Sequence, residues 1–183
     1  MVDCQDKFAK FIFYLCFLDI GIISTGSFHK DPLRAYALCM DELVLACSPT
    51  HPFAESEEWT PELIAASSFV LHGRASSTRR ITDQWLEQHG ISPFSRLELD
   101  SLEAIKQAVM LGEHISFISR MAVQSEADRG LLRIWPIPGL PAERQVYAIT
   151  NQDGYMSSTS SRFIEILNEW SRSIQEPLLE DQE

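Results

Sequence analysis

The stretch SFVLHGRASSTRRITDQWLEQHGI, residues 68–91, gathers groups that could do chemistry. Four consecutive small or hydroxyl residues, Ala75 to Thr78, lie between Arg74 and the pair Arg79 and Arg80, with His72 just before them. The apolar run Phe69, Val70, Leu71 precedes this turn. Ile81, Trp85 and Leu86 follow at helical spacing, closed by Gly90, so the pattern predicts a strand handing over to a helix. At such a helix start several amide N–H groups have no partner inside the helix, and the helix dipole attracts negative charge. Ala75, Ser76 and Ser77 are small enough to let a ligand approach the backbone, and their hydroxyls add donors. Arg79 or Arg80 could supply countercharge, giving a site for a carboxylate, sulfate or phosphate group. The same residue types serve a plain helix cap at Ser77 or Thr78. Residue chemistry alone leaves both readings open.

Other chemistries are weaker. Ser76 or Ser77 with His72 would need an acid partner and an oxyanion pocket, and no GxSxG elbow is present. There is neither a GxxxxGK[ST] loop nor a GxGxxG motif, so no nucleotide cofactor is signalled. The expectation is a chain that is not an enzyme and holds no cofactor. His29, His51, His72, His89 and His114 lack metal-ligand spacing. Cys4, Cys16, Cys39 and Cys47 are scattered without a CxxC pair, which suits a reducing, cytoplasmic setting and neither zinc nor disulfides. The net charge of −11 repels phosphate backbones, so no nucleic acid contact is expected from this chain itself. Phe11 to Leu18, preceded by Lys7 and Lys10, has the look of a short signal-peptide core, but Asp19 ends it without a cleavage pattern. It falls short of the ~20 residues a membrane span needs and reads as a buried strand or helix, with no membrane partner.

The elements that position the turn alternate. DELVLACS (41–48) reads as a strand, TPELIAAS (60–67) as a short helix capped by Thr60 with Pro61 in its first turn, and SFVLHG as the next strand. ELDSLEAIKQAVMLG reads as a helix with an Asp100–Glu103 capping box, Leu102, Ile105 and Val109 on one face, and Gly112 as its stop. HISFIS is a strand, and RMAVQSEADRG a helix from Ser119 to Gly130. LLRIWPIPGLPAE and RQVYAITN supply two more strands. STSSRFIEILNEWSRSI closes the fold as an amphipathic helix with Phe163, Ile166, Leu167, Trp170 and Ile174 inward. This alternation predicts an α/β chain with a mainly parallel sheet covered on both faces.

Taken in order, LDIGIIS, LCMDELVLACSPTHPFA, ASSTRRITDQWLEQHGI and ELDSLEAIKQAVMLGEHISFISRMAVQSEADRGLLR resemble the effector-binding domain of LysR-type transcriptional regulators. The resemblance covers about Leu18 to Trp170, and the last motif is its most specific part. It implies a type-2 periplasmic-binding-protein-like fold: two α/β lobes joined by crossing strands, with a small effector between them. Residues 1–44 would form an incomplete first lobe, with 1–17 atypical, and 45–145 the second lobe. Residues 146–175 would return to the first lobe with the C-terminal helix, leaving 176–183 as a tail. Carried over by position, the resemblance places Ser24 and Thr25 at one lip of the cleft. His72, Arg74, Ser76, Ser77 and Thr78 fall at the strand–helix corner, and Ile118 and Ser119 at a cleft-facing strand end.

Arg120 stands where the family commonly has a proline-containing turn, and points either into the cleft or outward. The family's winged helix-turn-helix and the first strand–helix–strand of its effector domain find no match, which is expected of a truncated or separately expressed regulator. The implied partners are a small polar or anionic effector and a second copy paired through the first lobe. The implied function is sensing a co-inducer, with transcription regulated only when the chain is joined to a DNA-binding domain. A solute-binding protein of a transporter, which shares the fold, is the alternative.

Overall fold

A computed structural model describes residues 18–25, 33–56, 60–137, 139–140 and 143–175. The apolar run at 11–17, the 1–17 segment and the 176–183 tail lie outside the described residues. The chain divides into two compact units, Met1–Asp41 with Glu143–Glu183, and Glu42–Ala142.

In the first unit, β1 (Gly21–Thr25) pairs antiparallel with β7 (Glu143–Asn151), Gly21 opposite Ile149 and Thr25 opposite Gln145. The first part of β2 (Leu33–Cys47) lies beside β7. Leu38, Cys39 and Ala148 form a buried cluster against which Leu167 of α5 (Ser158–Gln175) packs. The buried face of α5 carries Ser160, Ile164 and Ser171, whereas Phe163, Ile166 and Trp170 are each more than two-fifths exposed. That corrects the inward face expected from hydrophobicity; Ile174 lies outside the described side chains. The reason is local: the Ser171 hydroxyl donates to the Leu38 carbonyl, and small hydroxyl residues let the helix approach the strand where larger side chains could not.

In the second unit the last part of β2 is central. β5 (Ile115–Ser119) pairs antiparallel on one side and β6 (Arg133–Pro136) antiparallel on the other. Beyond β5 lie β3 (Ser68–His72) and β4 (Ser95–Leu99), parallel to each other, with β3 also parallel to β5. The sheet is therefore mixed, not mainly parallel. Helical crossovers link β3, β4 and β5, while β2 and β6 run against them. The helices are α1 (Pro61–Ala66), α2 (Ser77–Gln88), α3 (Leu102–Met110) and α4 (Arg120–Asp128).

Strand alternation divides the core in two. Leu43, Leu45, Phe69, Leu71 and Phe117 pack on one face with Trp85 and Leu86 of α2. Val44, Ala46, Val70 and Ile118 pack on the other with Ile105 and Val109 of α3 and Val123 of α4. Thr60 caps α1 by accepting from the Leu63 amide at 3.3 Å, with Pro61 in the first turn as its sequence implies. Ser101, not Asp100, caps α3, accepting from the Ala104 amide at 3.4 Å. Gly112, past the end of α3, holds φ +94°, where only glycine is at ease.

Cys39 and Cys47 are buried. Burial pushes the Cys47 thiol up to about 12, with Arg133 pulling weakly the other way, so it behaves as a small apolar side chain. No described helix is long and apolar enough to cross a membrane. Among the described residues no cluster of three or more His, Cys, Asp or Glu side chains could hold a metal ion.

Candidate functional site

The hydroxyl-rich turn forms a corner of the second unit. His72 ends β3 opposite Leu99, and the chain turns through Gly73 into α2. The Ser76 amide donates to the Gly73 carbonyl at 2.9 Å. Ser76 is the helix cap, its Oγ accepting from the Thr78 amide at 3.2 Å. The cap therefore sits one residue earlier than sequence reasoning placed it. Ser77 is the first helical residue, and the first turn carries no acidic side chain to oppose the dipole. Ser76 and Ser77 are partly exposed, whereas Thr78 is 6% exposed.

Arg79 is the post that holds this corner. It is 8% exposed. Its Nε donates to Asp83 Oδ2 at 2.8 Å, and its Nη1 to Glu98 Oε2 at 2.9 Å and to the His72 carbonyl at 3.1 Å. One guanidinium thus ties the start of α2 to the ends of β3 and β4. Burial works against its charge, but the hydrogen bonds to Glu98 and Asp83 outweigh it and hold its pKa above the usual value. Arg79 is spent on structure, which removes one of the two expected countercharges. Arg80 is exposed. Arg74 is also exposed, with its Nε 3.7 Å from Glu98 Oε2.

Two carboxylates that the sequence does not place beside the turn stand at this corner. Glu98 is one. The other is Asp100: a Cβ on Gly73 would stand 1.8 Å from its Oδ1, so only glycine at 73 leaves that carboxylate its place. Both lie far from residue 73 in sequence and arrive through the parallel pairing of β3 with β4. The β4 run, SRLEL, has every residue but Leu99 exposed and carries no inward apolar signal.

The hydrogen bond from Arg79 is the chief reason that Glu98 is held below the usual carboxylate range. A depressed carboxylate contributes stability that is fully present above its unfolded pKa and lost as pH falls through the folded value. Acid below about pH 4 is therefore expected to loosen α2 from β4. An acid titration followed by Trp85 fluorescence should show this step, and Glu98→Gln should remove it.

The other expected site residues separate. Ser24 and Thr25 lie on β1 of the first unit, opposite Val146 and Gln145. Ile118 is 1% exposed and packs with Val44, Val70 and Ile105, so its side chain belongs to the core. Ser119 caps α4 without a side-chain cap bond. Arg120 Nε donates to Glu42 Oε2 at 2.6 Å, which settles its partner within the second unit. Residues 72–78 line neither of two cavities among the described residues. One, of about 430 Å³, lies in the second unit between His51, Phe53, Leu63, Phe94 and Glu113. The other lies in the first unit.

Comparison with known proteins places this arrangement. The LysR substrate binding domain family matches residues 17–172. A RuBisCO operon transcriptional regulator of Acidithiobacillus ferrooxidans is 31% identical over 149 residues, 81% of this chain and 48% of that protein. A probable RuBisCO transcriptional regulator of Cyanidioschyzon merolae is 37% identical over 126 residues, 67% of this chain and 42% of that protein. The chain thus spans about half the length of the curated relatives it matches. Among solved structures, the CcmR regulatory domain of Synechocystis PCC6803 in complex with 2-PG superposes with a TM-score of 0.75 and 25% identity, covering 91% of this chain and 79% of that one. The fold is that of LysR effector-binding domains, type-2 periplasmic-binding-protein-like. These relatives are named as transcriptional regulators.

Proposed function

The chain belongs to the LysR substrate-binding domain family, and on that premise we propose that it senses a small polar or anionic effector at the β3–α2 corner. Transcription is regulated when the chain is joined to a DNA-binding domain, in a cytoplasmic setting. The observation that carries this reading is the start of α2. Partly exposed Ser76 and Ser77 stand at a dipole end with no acidic residue in the first turn, fixed in place by buried Arg79. His72, Arg74 and Thr78 frame that helix start. Glu98 and Asp100 alongside make a bare anion a poor match. They favour an effector that pairs its negative group with hydroxyl donors. The net charge of −11 works against binding DNA phosphates, so DNA contact is assigned to the joined domain. Pairing of two copies through the first unit is part of the same proposal.

The test is a thermal melt of the chain with 2-PG, which the CcmR regulatory domain binds, alongside sulfate, phosphate and small hydroxy acids. A true effector at a hundredfold excess over its Kd should stabilise the fold by about 2.7 kcal/mol. A flat response to the whole set counts against the proposal.

A further inference from the structure

The second unit holds a cavity of about 430 Å³ that the effector reading does not use. That volume falls within the range of about 300–1,000 Å³ typical of small-molecule sites. Ser68, at the start of β3, lines it, whereas the β3–α2 corner begins at His72, the other end of the same strand. The length of the strand, about 13 Å, separates the two.

Local sequence builds the apolar walls. Pro52 and Phe53 belong to one tight helical turn, Pro52–Glu55, whose cap is His51. Phe53 is 2% exposed and meets Trp135 edge-on, with centroids 5.3 Å apart, so this wall is fixed without a ligand. The Phe94 amide donates to the Ala65 carbonyl at 3.0 Å, which ties the approach to β4 against α1. The Phe94 side chain is nonetheless 82% exposed, and Leu63, on the same cavity, is also exposed. Two large apolar side chains thus line a space they do not fill, and an apolar body set against them would remove their surface from water.

His51 supplies the polar contact. It is 7% exposed, and its ring Nδ1 accepts from the Phe53 amide at 3.0 Å. Burial, and then His114 nearby, hold its pKa below the usual value, so the ring is neutral at pH 7. With Nδ1 accepting, the proton of the neutral ring sits on Nε2. Among the described residues Nε2 has no hydrogen-bond partner, and it is not sealed from water. His51 therefore brings to the cavity a buried ring with one unspent N–H donor, and such a donor calls for an acceptor. Glu113, exposed on the same cavity, calls for the opposite, because a carboxylate accepts hydrogen bonds and repels anions. An uncharged group that both accepts and donates answers the two polar walls. An aromatic ring answers the apolar ones.

We propose that this cavity binds a small uncharged aromatic molecule whose polar group both accepts and donates. The ring lies against Phe53, Leu63 and Phe94, and the polar group accepts from His51 Nε2 and donates toward Glu113. Benzamide and phenol are the probes, titrated into the full chain and followed by its backbone amide resonances. At least one should bind and move the Ser68, Phe94 and Gly112 amides, leaving those of Ser76 and Ser77 in place. Benzoate has the shape of benzamide with a charge that Glu113 repels, and acetamide lacks the ring. Each should bind at least about tenfold more weakly. His51→Asn keeps an acceptor for the Phe53 amide but removes the Nε2 donor, and should weaken binding about tenfold. Phe94→Ala changes an exposed side chain, should melt as the parent does without ligand, and should also weaken binding about tenfold. Absence of binding by both probes overturns the proposal. So does equal binding of benzoate or acetamide, movement confined to the Ser76 and Ser77 amides, or undiminished binding in Phe94→Ala or in folded His51→Asn.

Discussion

Trp85→Ala is expected to destabilise the chain by about 3–5 kcal/mol, the usual cost of emptying a large aromatic site in a core. Trp85 is 1% exposed. Its ring meets Phe117 edge-on, with centroids 5.2 Å apart and planes at 73°, and stacks on His89 at 4.1 Å. The cavity left behind cannot be refilled cheaply, because Phe69 and Phe117 are themselves locked edge-to-face at 5.9 Å. Domains of this kind hold a reserve of about 5–15 kcal/mol, so the loss takes a large share of it. Trp85 also seats α2 on the sheet, and with it the Ser76–Ser77 helix start. Effector response should therefore fall together with stability. Urea denaturation measures the first, and Trp85→Phe, which keeps a ring against Phe117, should lose markedly less.

The second large effect concerns the ion pair of Arg144 with Asp41. Arg144 Nη2 donates to Asp41 Oδ2 at 2.5 Å, and the two side chains are 5% and 3% exposed. Beside it, Gln145 Nε2 donates to the Cys39 carbonyl at 2.9 Å. Replacing Arg144 with methionine removes this countercharge from a carboxylate that is 3% exposed. That is expected to cost about 3–5 kcal/mol. A pair this deeply buried gains little over an apolar pair of the same volume. The double replacement Asp41→Leu with Arg144→Met is therefore expected to recover most of the loss. A double-mutant cycle by chemical denaturation checks both statements. Equal destabilisation by the single and double changes would show that the pair is not the source of the effect.

Much of the fold could be read before any coordinates, and what could not has physical causes. Local chemistry announced itself at Thr60 with Pro61, at Gly90 and Gly112, and along β3, because caps, positive-φ glycines and apolar runs act over a few residues. Long-range pairing did not. The β4 run SRLEL lacks an inward apolar face, so neither the strand nor the arrival of Glu98 and Asp100 beside Gly73 was visible. The phase of α5 was misread for a related reason. Its Ser171 hydroxyl bonds to a strand carbonyl, so that polar position turns inward while Phe163 and Trp170 turn out. At the candidate site the role of one residue differs from its sequence reading. Arg79 reads as countercharge in sequence, but its three hydrogen bonds spend it on holding the corner together.

The most direct measurement is an isothermal titration of the stabilising effector into the parent chain and into Ser77→Ala. Ser76 supplies the cap, so the start of α2 should keep its fold when the Ser77 hydroxyl is removed, and a melt checks this. Affinity should drop about tenfold, as expected for one lost hydrogen bond to a charged group. Unchanged affinity in Ser77→Ala, with the fold intact, would contradict the assignment of the β3–α2 corner as the effector site.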